Sequence, residues 1–162
     1  RIINRELILS FTVHCDIVKT ENIRKGADAI FVDDNLSIYR LGILDWSIYD
    51  CITDKYTTDE VIITKEQLMH IRTRHPEAYD NTILYIRKIL DNPDYIIKDK
   101  HPGTGLVIKK FSSQTHSILL VLRICTSGDQ AGYKNSIISS WQITEKRLKN
   151  YLKNKDVIYK RE

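Results

Sequence analysis

Residues 64–98, TKEQLMHIRTRHPEAYDNTILYIRKILDNPDYIIK, decide the fold, because the hydrophobic period changes inside them. Thr64-Lys65-Glu66-Gln67 has the form of a capping box, in which the Thr64 hydroxyl accepts from the Gln67 amide and the Gln67 side chain reaches back. Leu68, Ile71 and His75 then fall at i, i+3 and i+7, one face of a helix. Pro76 stops or kinks that helix. A second helix carries Tyr79, Ile83, Ile86 and Leu90 and closes at Asp91-Asn92-Pro93. After Pro93 the period becomes two, the mark of a strand.

Downstream, residues 95–98, 105–111, 117–125 and 134–143 read as four strands. The links between them, His101-Pro102-Gly103 and residues 112–116 and 127–132, are turn-like, so the strands are expected to pair as an antiparallel meander. Thr144 caps a helix with Leu148, Tyr151 and Leu152 on one face, and a short strand at 157–159 precedes the basic end Lys160-Arg161. Helices first and antiparallel strands after them predict an α+β domain.

Upstream, residues 7–13, 29–32, 37–40 and 46–52 are rich in β-branched and aromatic residues, with a turn at Asp33-Asp34-Asn35. The chain becomes polar around residues 54–59. That divides it into a β-rich segment of unknown role at 1–57 and an α+β domain at 58–162.

With 162 residues and 42% hydrophobic content, the chain can bury one sizeable core. No run approaches the ~18 apolar residues that a membrane span requires, and no signal peptide opens the chain, so a cytoplasmic working place, in a producing or a target bacterium, is expected. The first residue is Arg1, which points to a piece of a longer polypeptide. Cys15, Cys51 and Cys125 are odd in number and widely spaced, which fits reduced thiols better than a disulfide framework. The net charge of +4 is uneven: from residue 98 onward 13 Lys and Arg face 5 Asp and Glu. Such a basic half attracts phosphate backbones, although a solvated basic helix at 146–155 explains it as well.

The strand at 117–125 carries the sharpest chemical signal. Its even positions Ile118, Leu120, Leu122 and Ile124 form one apolar face, whereas its odd positions are apolar except for Arg123. A buried, unpaired guanidinium costs several kcal/mol. Arg123 therefore pairs with a carboxylate, opens into an anion-binding cleft, or snorkels to solvent. Lys134-Asn135-Ser136 begins the next strand, one hairpin away, and Lys109 or Lys110 adds a cation from the preceding strand; alternation lets only one of these two lysines face the cleft. His75 ends the inward face of its helix beside Pro76, while His70 and Arg74 are i, i+4 neighbours on another face. No HExxH or CxxC supports zinc, and no phosphate-loop or dinucleotide fingerprint is present.

HIRTRHPEAYDNTILYIRKILDNPDYIIKD, starting at residue 70, and LLVLRICTSGDQAGYKNSIISSWQITEKRLKNYLKNKDVIYK, starting at residue 119, together resemble the phage-associated barnase–EndoU–colicin–RelE-like nuclease domains. The resemblance rests on the His-x4-His-Pro helix end, the Asn-Pro-Asp-Tyr turn, the Lys-Asn-Ser-Ile-Ile strand leading to Trp141, and the closing Asn154-Lys155 and Tyr159-Lys160. It implies helices packed on a four-stranded antiparallel sheet. It also implies a metal-independent endoribonuclease without cofactor, acting on RNA (tRNA among the candidates) as a toxin or effector in phage-related or inter-bacterial conflict, with a cognate immunity or antitoxin protein as a candidate partner. Carried over by position, His75 is the acid/base and Lys109, Arg123 and Ser136 form the phosphate side. His70, Arg74, Lys134, Asn135 and Tyr159 are the substrate-binding candidates, and Tyr133 or Tyr159 a platform for a base. The alternative is a non-catalytic RNA- or protein-binding module on the same fold, such as a phage structural or adaptor protein.

Overall fold

The computed structural model of the chain describes residues 28–112 and 114–162. The expected strand at 7–13 and Cys15 lie outside the described residues. In chain order the elements are β1 (Ile38–Ile43), α1 (Trp46–Tyr49), β2 (Glu60–Thr64), α2 (Lys65–Arg74), α3 (Pro76–Asp91), β3 (Tyr95–Lys98), β4 (Thr104–Lys110), β5 (His116–Arg123), β6 (Asn135–Thr144), α4 (Glu145–Asn154) and β7 (Val157–Lys160).

The capping box at Thr64 forms as the sequence requires: Thr64 Oγ1 accepts from the Gln67 amide at 3.2 Å, and Gln67 Oε1 accepts from the Thr64 amide at 2.9 Å. Pro76 occupies the first turn of α3, where its missing N–H is harmless. Residues 46–52 form no strand. Asp45 caps α1 by accepting from the Ser47 amide and hydroxyl, and this local bonding outweighs the β-preference of Trp46 and Ile48. The expected strand at 29–32 is absent as well; the Ile30 amide donates to the Ile83 carbonyl of α3 instead.

The strands form one seven-stranded mixed sheet in the order β1-β2-β6-β5-β4-β3-β7. This corrects the expectation of helices packed on a four-stranded antiparallel sheet, although the class remains α+β. The meander β3-β4-β5-β6 is present, but β7 pairs antiparallel on β3, and β2, already paired with β1, joins β6 in parallel. Local periodicity does not reveal such additions, because β2 and β7 are short and their partners are distant in sequence. The sheet therefore draws on residues from both sides of the composition break near 57.

One face of the sheet, bearing Ile96, Val107, Ile118, Leu120 and Leu122, packs against Leu68 and Ile71 of α2 and Ile86 and Ile89 of α3. Its helix contacts include a buried hydrogen bond of 2.7 Å between the Thr82 and Ser140 hydroxyls. The opposite face bears Ile97, Leu106, Ile108, Leu119 and Ile143, and Leu148 of α4 is buried against it. Burial of that one leucine contributes roughly 1.5–3 kcal/mol. Among the described residues no helix is long and apolar enough to cross a membrane.

Candidate active site on the α4 side of the sheet

The α4 side of the sheet is covered only in part. Leu119 and Ile143 lie in the core under α4, but further along β5 Val121 is half-buried and Arg123 is 48% exposed on its side chain. Across from them β6 bulges at Ile138, which is 38% exposed, because Val121 pairs with Ser139 whereas Leu122 pairs with Ile137. Bulges end regular pairing and re-aim side chains, and they are frequent beside active sites.

β2 contributes to this region by stopping early. It pairs with β6 at only two positions, Val61 with Asn135 and Ile62 with Ser136. The chain then turns into α2, which runs beside β6. At its start Gln67 Oε1 accepts from the Ser136 hydroxyl at 3.2 Å. At its end the His75 imidazole packs on the Trp141 indole, with centroids 5.6 Å apart. His75 caps the helix, its amide donating to the Ile71 carbonyl at 2.7 Å, and its side chain is 31% exposed. Glu77 Oε1 lies 3.8 Å from His75 Nδ1, and His70 stands edge-on at 6.4 Å between ring centroids. Arg74 is exposed at the same helix end.

Of the three outcomes open to it, Arg123 takes a carboxylate partner. Its Nη2 donates to Asp129 Oδ1 at 2.6 Å, while Asp129 Oδ2 accepts from the Thr126 amide at 2.8 Å and the Thr126 hydroxyl at 3.2 Å. The Thr126 amide and the Arg123 guanidinium together hold the Asp129 carboxyl below its ordinary range. The hairpin loop thus fixes one edge of the guanidinium, leaving its other donors without a protein partner among the described residues. Ser136 is the cross-strand partner of Arg123. Lys134 closes the same end of the sheet through a 2.6 Å ion pair with Glu60, which lowers the Glu60 carboxyl. Beside it, Thr57, Thr58 and the 125–134 loop line a hollow of about 420 Å³ that includes the exposed Tyr133.

His70, His75 and Arg74 thus gather at the end of α2 beside Trp141, whereas Arg123, Ser136 and Lys134 lie at the hairpin end of β5 and β6. The two groups are well separated: Trp141 pairs with Leu119, four residues before Arg123, or roughly 13 Å along the strand. Three other candidates lie elsewhere. Lys109 pairs with Ile118 on the opposite face, where it is buried and ion-paired to Asp94 at 3.4 Å. Tyr159 pairs with Ile96 and packs against that same opposite core. Asn135 is fully buried, its side-chain oxygen accepting from the Cys125 amide and its nitrogen donating to the Thr58 and Glu60 carbonyls.

Sequence reading missed Glu77, Asp129, Ser139 and Trp141. The first two sit in a first helical turn and a polar hairpin loop, where acidic residues are common, but the i, i+2 spacing of Ser139 and Trp141 does place both on one strand face. Among the described residues no group of three or more His, Cys, Asp or Glu side chains is arranged to hold a metal ion. The family model described as phage-Barnase-EndoU-ColicinE5/D-RelE like nuclease2 matches residues 42–160. The chain belongs to this nuclease family. No curated protein and no solved structure matches the chain. The family match runs from Gly42 in β1 to Lys160 at the end of β7, so it takes in the open face, both of its borders and the helices behind it. Family membership makes the domain a nuclease and its substrate a nucleic acid.

Proposed function

We propose that this nuclease domain is an endoribonuclease that uses the open sheet face, with His75 moving the proton and Arg123 holding phosphate. The observation that supports the reading is a part-exposed imidazole packed on Trp141, whose strand partner Leu119 shares a face of β5 with the part-exposed Arg123 guanidinium. In RNA, the ribose 2′-hydroxyl loses its proton as its oxygen attacks the adjacent phosphorus, and the departing 5′-oxygen gains one. Histidine changes charge near neutrality and serves either proton role. Glu77 is the carboxylate beside Nδ1, at 3.8 Å, and His70 is the second proton carrier in reach of the same region.

The ~13 Å between the two ends matters. It suits Arg123 to a neighbouring phosphate of the bound strand rather than to the oxygen that His75 serves. Ser136, Lys134 and Arg74 border the path between or beside them. The exposed lysines of α4 extend the positive field along the same side, which favours a polyanion. A metal-free cut of RNA fits a toxin or effector role, for which an acidic immunity protein covering this face is the complementary partner.

The test is incubation of the purified protein with total RNA in the presence of a chelator, wild type against His75→Ala. Wild type is expected to degrade the RNA, and the variant to lose roughly 10²- to 10⁴-fold in rate. Undiminished cleavage by the variant removes His75 from the mechanism, and salt-sensitive binding without any cleavage by wild type turns the reading to a binding module.

A further inference from the structure

Two polar atoms on the α4 side of the sheet lack hydrogen-bond partners. Ser139 Oγ and Trp141 Nε1 are both buried, and neither finds a protein donor or acceptor. Ser139 as a residue is only 8% exposed. An orphaned buried polar group costs about 1–3 kcal/mol, and native chains leave few of them. Here two occur at i, i+2 on one strand, opposite Val121 and Leu119, so both side chains leave the sheet on the same side. The apolar side chains around them, Val121 and the second core, offer no acceptor.

The location gives the pair a use. The Trp141 ring is the surface on which His75 rests, so the orphaned indole nitrogen belongs to the ring beside the proposed proton carrier, and Ser139 precedes it on the same strand face. The bulge at Ile138 immediately precedes them, which marks the point where β6 departs from regular pairing. Indole nitrogen only donates, and a hydroxyl can donate or accept. Two such donors on one strand face call for an acceptor oxygen. Both are uncharged, so they can remain buried in the free protein at far lower cost than a cation.

We infer that Trp141 and Ser139 form a subsite beside His75 that receives an acceptor oxygen of a bound nucleotide. The inference rests on the nuclease reading of the same face. The oxygen belongs to a phosphate or to a base carbonyl. Either way, the two residues are binding and positioning groups that set where the strand lies against the imidazole.

The experiment uses the full chain and a 2′-O-methyl RNA oligonucleotide, which cannot react through its 2′-oxygen. Affinity is measured for wild type, Ser139→Ala and Trp141→Phe, with thermal unfolding of each protein in parallel. Each variant is expected to weaken binding by roughly 2- to 10-fold, the effect of one lost hydrogen bond. Ser139→Ala is expected to unfold no earlier than wild type, because its hydroxyl has no bond to lose in the free protein. Uridine, uridine 3′-monophosphate and inorganic phosphate then separate the sources: variant-sensitive binding of the phosphate-bearing probes assigns a phosphate oxygen, and of uridine a base carbonyl. Unchanged affinity in both variants, while wild type still binds and cleaves, overturns the subsite and leaves the nuclease reading intact. A clear loss of stability in Ser139→Ala overturns it too, since the hydroxyl is then already engaged. Failure of wild type to bind or cut any RNA overturns the nuclease reading and the subsite together.

Discussion

Replacing Asn135 by alanine separates a structural amide from a substrate-binding one. The side chain ties three backbone groups together, with distances of 2.9 Å from the Cys125 amide, 2.8 Å to the Thr58 carbonyl and 3.0 Å to the Glu60 carbonyl. It sits where β2 meets β6, a junction with only two paired positions. Alanine removes all three bonds. Cys125 is buried, so its amide is left without a partner at a cost of about 1–3 kcal/mol, and the two carbonyls add about 0.5–1 kcal/mol each. The expected loss is about 2–5 kcal/mol, a large part of the 5–15 kcal/mol typical of a whole domain. With a urea dependence of about 1–3 kcal/mol per molar, the unfolding midpoint should fall by at least about 0.7 M. Urea unfolding followed by tryptophan emission measures this directly. RNA affinity, measured under conditions where the variant remains folded, should change little. A midpoint shifted by less than about 0.3 M together with a tenfold loss of RNA affinity refutes the reasoning and returns Asn135 to the substrate.

Three further perturbations have defined outcomes. Lys146, Lys149 and Lys153 are exposed, share one flank of α4 and have no ion-pair partner among the described residues; changing all three to glutamine should reduce the salt slope of single-stranded RNA binding by roughly 2, at about 0.7 per phosphate contact. Fluorescence anisotropy across a salt series measures the slope, and an unchanged slope removes α4 from the RNA path. The lowered Asp129 carboxyl contributes stability that is present above the usual carboxylate pKa near ~4 and is lost as pH falls through its lower folded value. Asp129→Asn should therefore flatten the fall in stability in that acid range, as followed by circular dichroism, and an identical fall contradicts the Arg123–Asp129–Thr126 linkage. Gly105→Ala would place a Cβ 2.6 Å from Ile52 Cδ1 and 3.1 Å from Ile96 Cγ2. Ile52 is half-buried and can give way but Ile96 is buried, so a loss of about 1 kcal/mol is expected in thermal unfolding, and a neutral result speaks against this contact.

The parts of the fold that are legible in the sequence are those set by near neighbours. The Thr64 box, Pro76 and the Thr144 cap place α2, α3 and α4, and period-two runs place β3 to β6 within a residue or two. Residues 46–49 mislead because a single Asp45 side chain overrides aromatic β-preference. β2 is hard to see because Thr64 is at once its last residue and the cap of α2, so five residues of strand merge into a helix signal. Sheet order is not a local property at all; the parallel β2–β6 contact depends on an amide at 135 reaching carbonyls at 58 and 60. The same limit applies to the site. Alternation correctly separates Lys109 from Lys110, but only the register shows that Lys109 faces the opposite core and that Lys110, opposite Ser117, lies six residues from Arg123, or roughly 20 Å.

The departure from the expected sheet and the position of the imidazole have one physical origin. Gln67 accepts from the Thr64 amide and from the Ser136 hydroxyl, so one side-chain oxygen both turns the chain out of β2 and seats the new helix against β6. Had β2 continued, its backbone would occupy the ~4.8 Å lane beside β6 as far as Trp141. Ending the strand after two pairs with β6 leaves that edge of β6 free, and the residue that ends α2, His75, packs there against the indole. The bulge at Ile138 begins where the β2 pairing stops, consistent with a strand released from regular pairing on that side. The mixed topology thus brings a titratable group to the rim of the sheet, which a simple antiparallel meander carrying its helices on one face would not do.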